Sequence, residues 1–281
     1  MTPMTAQPTD PRVESALRGQ SLFGDDFSPA EIEAWFRDEV NGYASLDHLD
    51  SQSDHYAYHA MDGAYVWRNL PAGQLNVLGL GSAYGSEFRP IAQRIGGLTV
   101  VEPAEKFWRQ EIAGIPARYL SPNPDGTLPL DTNSFDLVTA FGVLHHIPNV
   151  SAVLGELARV LRPGGLLAIR EPATSMGDWR QPRRGLTSRE RGIPSHLMAQ
   201  MVAPHRCKPL ASQLVGFGPL VNIASRRHGA APWNSAAFVA VDRCLSALFK
   251  ANYSYHRTRF LKRFAPTVGI WLFTKSATAQ K

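Results

Sequence analysis

The chain has 281 residues, 44% of them hydrophobic, which suffices for one large domain with a proper core or one domain with a sizeable insertion. No apolar run approaches the roughly 20 residues of a membrane span, and the first twenty residues lack the apolar core of a signal peptide. Two cysteines far apart, Cys207 and Cys244, form neither a disulfide framework nor a zinc-ligand spacing, so a cytoplasmic protein with reduced thiols and no metal is expected. The net charge of +5 is unevenly spread: residues 1–62 carry −9, residues 63–172 are neutral, and residues 173–281 carry +14. A basic C-terminal third is either a solvated face or a surface for an anionic partner.

In chain order, residues 1–25 read as a mobile arm rich in Pro, Thr and Asp. A helix then opens at Ser28 (N-cap) and Pro29 (first turn), with Glu31 completing a capping box, and runs toward Tyr43. Aromatic residues at near-helical spacing predict a second helix over His55–Leu70. From Leu75 the pattern alternates between β and α. Buried strands are predicted at Leu75–Leu80, Leu98–Val101, Ala117–Leu120, Phe135–Phe141 and Leu166–Arg170, with helices at Ser86–Ile95 and Val150–Leu161. This alternation predicts an α/β fold around a doubly wound, mainly parallel sheet.

After Glu171 the alternation stops. A sixth strand is expected at Leu220–Ser225, an apolar helix at Ala236–Lys250, a basic helix near His256–Phe264, and a last strand at Val268–Lys275. The division expected is an arm (1–25) and one domain (26–281). That domain comprises a helical cap (26–74), a cofactor half (75–172) and a substrate-side half (173–281), with an insertion over about 226–267.

Three elements carry chemistry. The turn VLGLGSAYGSEF places Gly79, Gly81 and Gly85 where backbone must turn sharply and approach a ligand. Glu102, about 20 residues on at the end of the second strand, is placed to accept both ribose hydroxyls. The third element is LPLDTNSFDLVTAFGVLHHIPNV (128–150) followed by VLRPGGLLAIREP (160–172).

With the glycine turn and Glu102, these segments closely resemble the class I S-adenosylmethionine-dependent methyltransferases of the small stand-alone bacterial type, over about 100 residues. The resemblance implies a Rossmann-like methyltransferase fold with a seven-stranded sheet, N-terminal helices and a helical insertion before the last strand. It implies S-adenosylmethionine as cofactor, with Gly79 to Gly85 around its methionyl part and Glu102 on the ribose. Pro103 would touch the adenine face, Asp125 or Asn123 the adenine amino group, and Phe141 and Gly142 the wall beside the methyl donor. Two positions depart from the family: Gly79 stands where an acidic residue is usual, and Ala83 where a glycine is.

For the acceptor side, the candidate bases are His145, His146, Glu171 and Asp178, with His196, His205 and His228 further along. At least one of the paired histidines is expected to pack structurally at the strand end. Trp179, Arg180, Arg183 and Arg184 are the candidate substrate contacts, with Arg189 and Arg191 as further anion holders. Thr187 and Glu190 form a capping box that predicts a helix after it. The expected activity is O-methylation of a sugar, glycan precursor or polar metabolite, with an anionic acceptor favoured by the charge. The rival readings are N- or C-methylation of a lipid or quinone, and a binding protein on an inactive methyltransferase fold. A nucleic-acid acceptor is not expected: no RNA-binding module is appended, and Phe141-Gly142-Val143-Leu144 replaces an Asn-Pro-Pro-aromatic motif. The stripe Phe238, Val241, Leu245, Leu248 and Phe249 reads as core or a homodimer face. Arg257, Arg259, Lys262 and Arg263 interleave with Phe260, Leu261 and Phe264, a pattern that also suits peripheral membrane contact.

Overall fold

The computed structural model describes residues 10–44, 56–181, 183, 186, 187, 189–228 and 232–277, without the side chains of 41–44 and 225–228. Leu75–Leu80 (β1) forms the centre of the sheet because its apolar run is buried on both faces. Ile95–Val101 (β2) pairs with it in parallel on one side and Phe135–Phe141 (β5) on the other. Glu111–Ile112 (β3) and Ile115–Leu120 (β4) make a short hairpin, and β4 pairs in parallel with β2. Leu161–Pro172 (β6) follows β5 in parallel. Cys207–Phe217 (β7) and Pro266–Lys275 (β8) complete the order β3-β4-β2-β1-β5-β6-β8-β7, with β8 antiparallel to both neighbours. The chain leaves β1 toward β2 and returns at β5, so the direction of winding reverses between β1 and β5. In open α/β sheets ligands bind at the carboxyl ends of such strands.

Each face of the sheet has its own core. On one, Val150–Val160 (α4) turns Val150, Val153, Leu154 and Leu157 inward onto Leu78, Val138 and Ile169, and Ser195–Val202 (α5) adds Met198 and Val202. On the other, His59–Tyr65 (α3) adds Met61 and Tyr65 to a cluster with Val77, Leu137 and Trp233. Pro29–Ala44 (α2) begins at the expected capping box: Ser28 N–H donates to Glu31 at 2.9 Å, and Glu31 N–H to Ser28 Oγ at 3.4 Å.

Several expectations change. Part of the expected arm is structured: Pro11–Leu17 (α1) is capped by Asp10 and buries Ala16 and Leu17, while residues 1–9 lie outside the described set. The helix expected over His55–Leu70 is confined to α3 plus a short 3-10 turn at Trp67–Asn69, and His55 lies outside the described residues. Ser86–Arg94 is 3-10 rather than α, with Pro90 inside it removing a donor. The sheet has eight strands rather than seven, because of the β3–β4 hairpin.

The sixth strand is not Leu220–Ser225, which lies within the helix Gly218–His228 (α6). It is β7, an edge strand whose exposed Lys208 and Leu210 and register shift at Pro209 blur its pattern. The insertion before the last strand is present over 218–265, with α6 and Ala236–Leu248 (α7). The face that α7 buries is Val239, Asp242 and Ser246, whereas Val241 and Leu248 of the expected stripe are exposed. Polar residues can line that buried face because the Asp242 carboxylate accepts the N–H groups of Gly216 (2.9 Å) and Phe217 (2.7 Å). The basic helix near 256–264 shrinks to a 3-10 turn at Phe260–Arg263.

Candidate functional site

At the carboxyl ends of β1, β2 and β5 a pocket with a cavity volume of about 130 Å3 opens. Its floor is Leu80 and Gly81 after β1, Glu102 and Pro103 after β2, and Gly142 and Val143 after β5. The 122–128 loop forms one wall, and Phe36, Glu39 and Val40 of α2 cover it. The sequence-expected Gly81, Glu102, Pro103, Gly142 and Asn123 are therefore brought together. Asp125 is not among the lining residues: it is exposed and spent on Thr127, accepting its N–H at 2.9 Å and its hydroxyl at 2.7 Å. Phe141 is not among them either; its ring packs on Trp67 and on the Arg170 guanidinium, on the opposite side of the sheet.

Glu102 is 2% exposed, and burial pushes its carboxyl above the usual range against the pull of its two amide donors. One oxygen accepts Ala104 N–H at 3.0 Å and the other Ala83 N–H at 3.2 Å. Both oxygens are thus held in place by backbone, and each keeps a lone pair for a further donor. Ala83 has φ +44°, which is why a glycine is the easier residue there. Its carbonyl accepts from the Tyr119 hydroxyl at 2.7 Å, one contact that holds the strained turn. Position 79 has no room for an acid. A Cβ on Gly79 would come within 2.2 Å of Ser82 Oγ and 2.9 Å of the Phe88 ring. A carboxyl returns to this neighbourhood from another direction: Glu87, fully enclosed, is raised to about 7 by burial, while a hydrogen bond with Ser82 pulls the other way.

The LHH segment after β5 is a 3-10 turn, Leu144–His146. Glu171, 1% exposed at the end of β6, organises it. One Glu171 oxygen accepts Val143 N–H (2.8 Å) and Leu144 N–H (2.7 Å), and the other lies 2.7 Å from His145 Nδ1. An ionised carboxylate only accepts, so Nδ1 carries the proton and neutral His145 presents an Nε2 lone pair. Arg191, fully buried, donates to the carbonyls of Leu144, His145, Ile147 and Pro148 and of Phe23. Burial lowers its guanidinium to about 10. Its role is to satisfy this loop's orphan carbonyls rather than to hold an anion. The sequence marked both Glu171 and Arg191, but gave no sign that both serve the LHH turn.

His146 lies against α2, its Nδ1 donating to Glu39 at 2.8 Å, while Trp35 Nε1 donates to the His146 carbonyl at 2.7 Å. Glu39, His146 and Glu190 offer ligand atoms all within 4.8 Å of one another, the one group of metal-binding geometry among the described residues. Thr187 ties the two carboxylates together, donating its hydroxyl to Glu39 (2.6 Å) and its N–H to Glu190 (3.0 Å). The Thr187–Glu190 box forms, but no helix follows it; α5 begins only at Ser195.

The other acceptor-side candidates are engaged elsewhere. Asp178 is gripped by Arg180, which holds its carboxyl down to about 2 and leaves it a poor base. Arg180 also pairs with Glu14 on the surface. Trp179 stacks on Phe23 and donates to the Ser175 carbonyl. Arg183 donates to the Met176 and Thr187 carbonyls, and Arg189 pairs with Asp38. Arg184 lies outside the described residues, as does the side chain of His228. His196 is exposed on α5, and His205 sits in a 3-10 turn beside the start of β7, away from the pocket end of the sheet.

Residues 78–169 match the family model described as a methyltransferase domain. A ubiquinone biosynthesis O-methyltransferase of Paramagnetospirillum magneticum is 31% identical over 118 residues, 40% of this chain and 45% of that protein. A phthiotriol/phenolphthiotriol dimycocerosates methyltransferase of Mycobacterium leprae is 43% identical over 54 residues, 18% of this chain and 20% of that one. The match spans less than half the length of each of these curated relatives. Among solved structures, the 4+2 cyclase SpnF aligns with TM-score 0.54 and 17% identity over 86% of this chain and 95% of its own. A SAM-dependent methyltransferase from Thermotoga maritima aligns with TM-score 0.50 and 15% identity over 87% of this chain and 100% of its own. The chain has the fold of the class I S-adenosylmethionine-dependent methyltransferases, and the segment 78–169 within it is similar to their methyltransferase domain. Because a cyclase shares that architecture, the chemistry has to be argued from the site. Among the described residues, no helix is long and apolar enough to cross a membrane.

Proposed function

We propose that the protein is an S-adenosylmethionine-dependent O-methyltransferase in which His145, oriented by Glu171, is the general base. The observation that carries this reading is the His145–Glu171 pair, which does not itself line the pocket but stands next to its Gly142–Val143 wall. The residues fit the cofactor. Glu102 offers lone pairs to two ribose hydroxyls, Pro103 and the 122–128 loop form an adenine slot, and Gly142 leaves its wall open. A Cβ on Gly142 would meet only the His145 ring, at 3.9 Å.

The bound cofactor supplies an activated methyl group on a sulfonium. What remains for the protein is to align the acceptor and take its proton. A hydroxyl needs that proton removed as it attacks, and an imidazole is a base suited to that task. The Nδ1–H to Glu171 contact fixes the tautomer and stabilises the imidazolium that forms. The acceptor class we favour is a sugar, glycan precursor or polar metabolite. A quinone- or lipid-class hydroxyl is the second reading, favoured by the names of the two methyltransferases matched above.

The test is transfer of labelled methyl from S-adenosylmethionine to a panel of sugar, phenol and quinol hydroxyls by the intact protein. The expected result is labelled product. Cofactor binding without transfer to any hydroxyl would leave a binding protein on this fold. Absence of cofactor binding would remove the assignment altogether.

A further inference from the structure

Beyond the cofactor pocket, a second cavity of about 640 Å3 opens where β6 ends and β8 begins, beside the first turn of α6. Arg257, Arg263 and His256 line it, along with Ser175, Asn222 and Thr267. No carboxylate lines it, and among the described residues neither arginine has an acidic partner. This sets them apart from the arginines upstream, since Arg180 and Arg189 are paired and Arg183 and Arg191 are spent on carbonyls. Arg257 is half-buried, and its guanidinium is made easier to deprotonate by burial and by the charge of Arg263. Two guanidiniums that repel each other, Arg257 half-buried and Arg263 exposed, with no carboxylate lining the cavity, form a site that an anion would relieve.

The backbone points the same way. Gly218 N–H is taken by the Ala265 carbonyl, and Pro219 has none. The remaining first-turn donor of α6 without an intrahelical acceptor is Leu220 N–H, and the next residue, Val221, lines the cavity. A Cβ on Gly218 would lie 3.6 Å from Arg257 Nη1, so that guanidinium stands at the helix start. His256 Nδ1 is 2.9 Å from Ser175 Oγ, whose own proton goes to the Gly177 carbonyl. Nδ1 is therefore the donor in that pair.

We infer that this cavity is a subsite for a phosphate group, with Arg257 and Arg263 as its ligands, and that it anchors the anionic end of the methyl acceptor. The second clause rests on the methyltransferase reading; the first does not. Position links the two sites. Pro172 lines the cavity, its neighbour Glu171 holds His145, and the Arg170 carbonyl accepts Gly142 N–H at 2.7 Å. An acceptor held by its phosphate at Arg257 would lie across the end of β6, with a hydroxyl offered toward His145. The strongly basic segment 173–281 supplies the long-range attraction.

The test titrates the intact protein with inorganic phosphate and pyrophosphate, and in a separate arm with vesicles of phosphatidylglycerol against phosphatidylcholine, all without cofactor. The variants are Arg257→Ala, Arg257→Lys and Arg263→Ala, with Lys208→Ala, on the exposed edge strand, as control. Thermal unfolding midpoints confirm that each variant folds. Pyrophosphate binding that drops by about tenfold or more in both alanine variants, drops less in Arg257→Lys, and survives Lys208→Ala supports a soluble phosphorylated ligand. Binding to anionic vesicles alone, lost in the same variants, supports a lipid headgroup as the source of the phosphate. The absence of both, or binding that the arginine variants leave intact, overturns the subsite. Titration with S-adenosylhomocysteine stands apart: its failure would remove the cofactor assignment without touching the phosphate result.

Discussion

The two sides of the sheet's pocket end use charge differently. On the cofactor side, carboxylates are anchored by backbone amides: Glu102 by Ala83 and Ala104, and Glu171 by Val143 and Leu144. On the acceptor side, long guanidinium side chains find partners far away in sequence. Arg191 reaches Phe23 and the LHH turn, Arg189 reaches Asp38, and Arg180 reaches Glu14. Amide anchoring fixes a carboxylate to the chain path, so its place follows from the motif. A guanidinium on a flexible stem can serve any acceptor within its reach, so residue type alone does not say which one it meets.

The largest effect is expected where amide anchoring is removed. Glu171→Ala leaves two buried N–H groups without an acceptor and should lower stability by about 3 kcal/mol or more in urea unfolding. Glu171→Gln keeps an acceptor oxygen for those amides, so it should recover much of the stability. It should not recover activity, because the amide lacks the charge that stabilises the His145 imidazolium. Equal stability of all three proteins would show that the carboxylate does not hold the turn.

His145→Ala sharpens the same contrast at the level of rate. It should lower kcat by between about a hundredfold and ten-thousandfold, while cofactor affinity measured by calorimetry stays within about twofold. A small loss of rate would mean that the acceptor attacks without a base, as an amine can.

The sequence made the cofactor side legible for the reason just given. Glu102 follows the glycine turn by a spacing that the β/α unit dictates, and α4 shows its buried face at 3.6-residue spacing. Gly79 is the instructive departure: its missing acid reads as a deficiency in sequence, yet Ser82 and Phe88 fill the space an acid would need. On the acceptor side, local pattern and tertiary need diverge. β7 lacks a buried strand's signature because it is an edge strand with Pro209 and exposed polar residues, and the apolar residues of α6 alone resemble a strand. The face of α7 was misjudged because Asp242, satisfied by the amides of Gly216 and Phe217, takes a core position that hydrophobicity would give to Val241. Arg257 and Arg263 were read as part of an amphipathic surface, since only the fold brings them to the start of α6.

A moderate effect is expected at the ribose contact. Glu102→Ala should weaken S-adenosylmethionine binding by about 1–3 kcal/mol, read by calorimetry, provided the unfolding midpoint shows that the Ala83 turn survives. Unchanged affinity would detach Glu102 from the cofactor and reduce it to a support of the turn.

The smallest effect belongs to the paired histidine that does not face Glu171. His146 is held by Glu39 of α2, and although burial opposes its charged form, the Glu39 hydrogen bond and the Glu39 and Glu190 charges raise its pKa above the ordinary 6.5. A raised folded-state value means that the charged pair contributes its full stability below about pH 6.5, and that this contribution fades as pH climbs through the folded value. Because Glu39 and His146 both line the cofactor pocket, α2 should hold less firmly at alkaline pH. Amide exchange in α2, corrected for its intrinsic pH dependence, should then show falling protection as pH rises from 6.5. His146→Gln should remove that slope. A slope that persists in His146→Gln would assign the hold on α2 to another group.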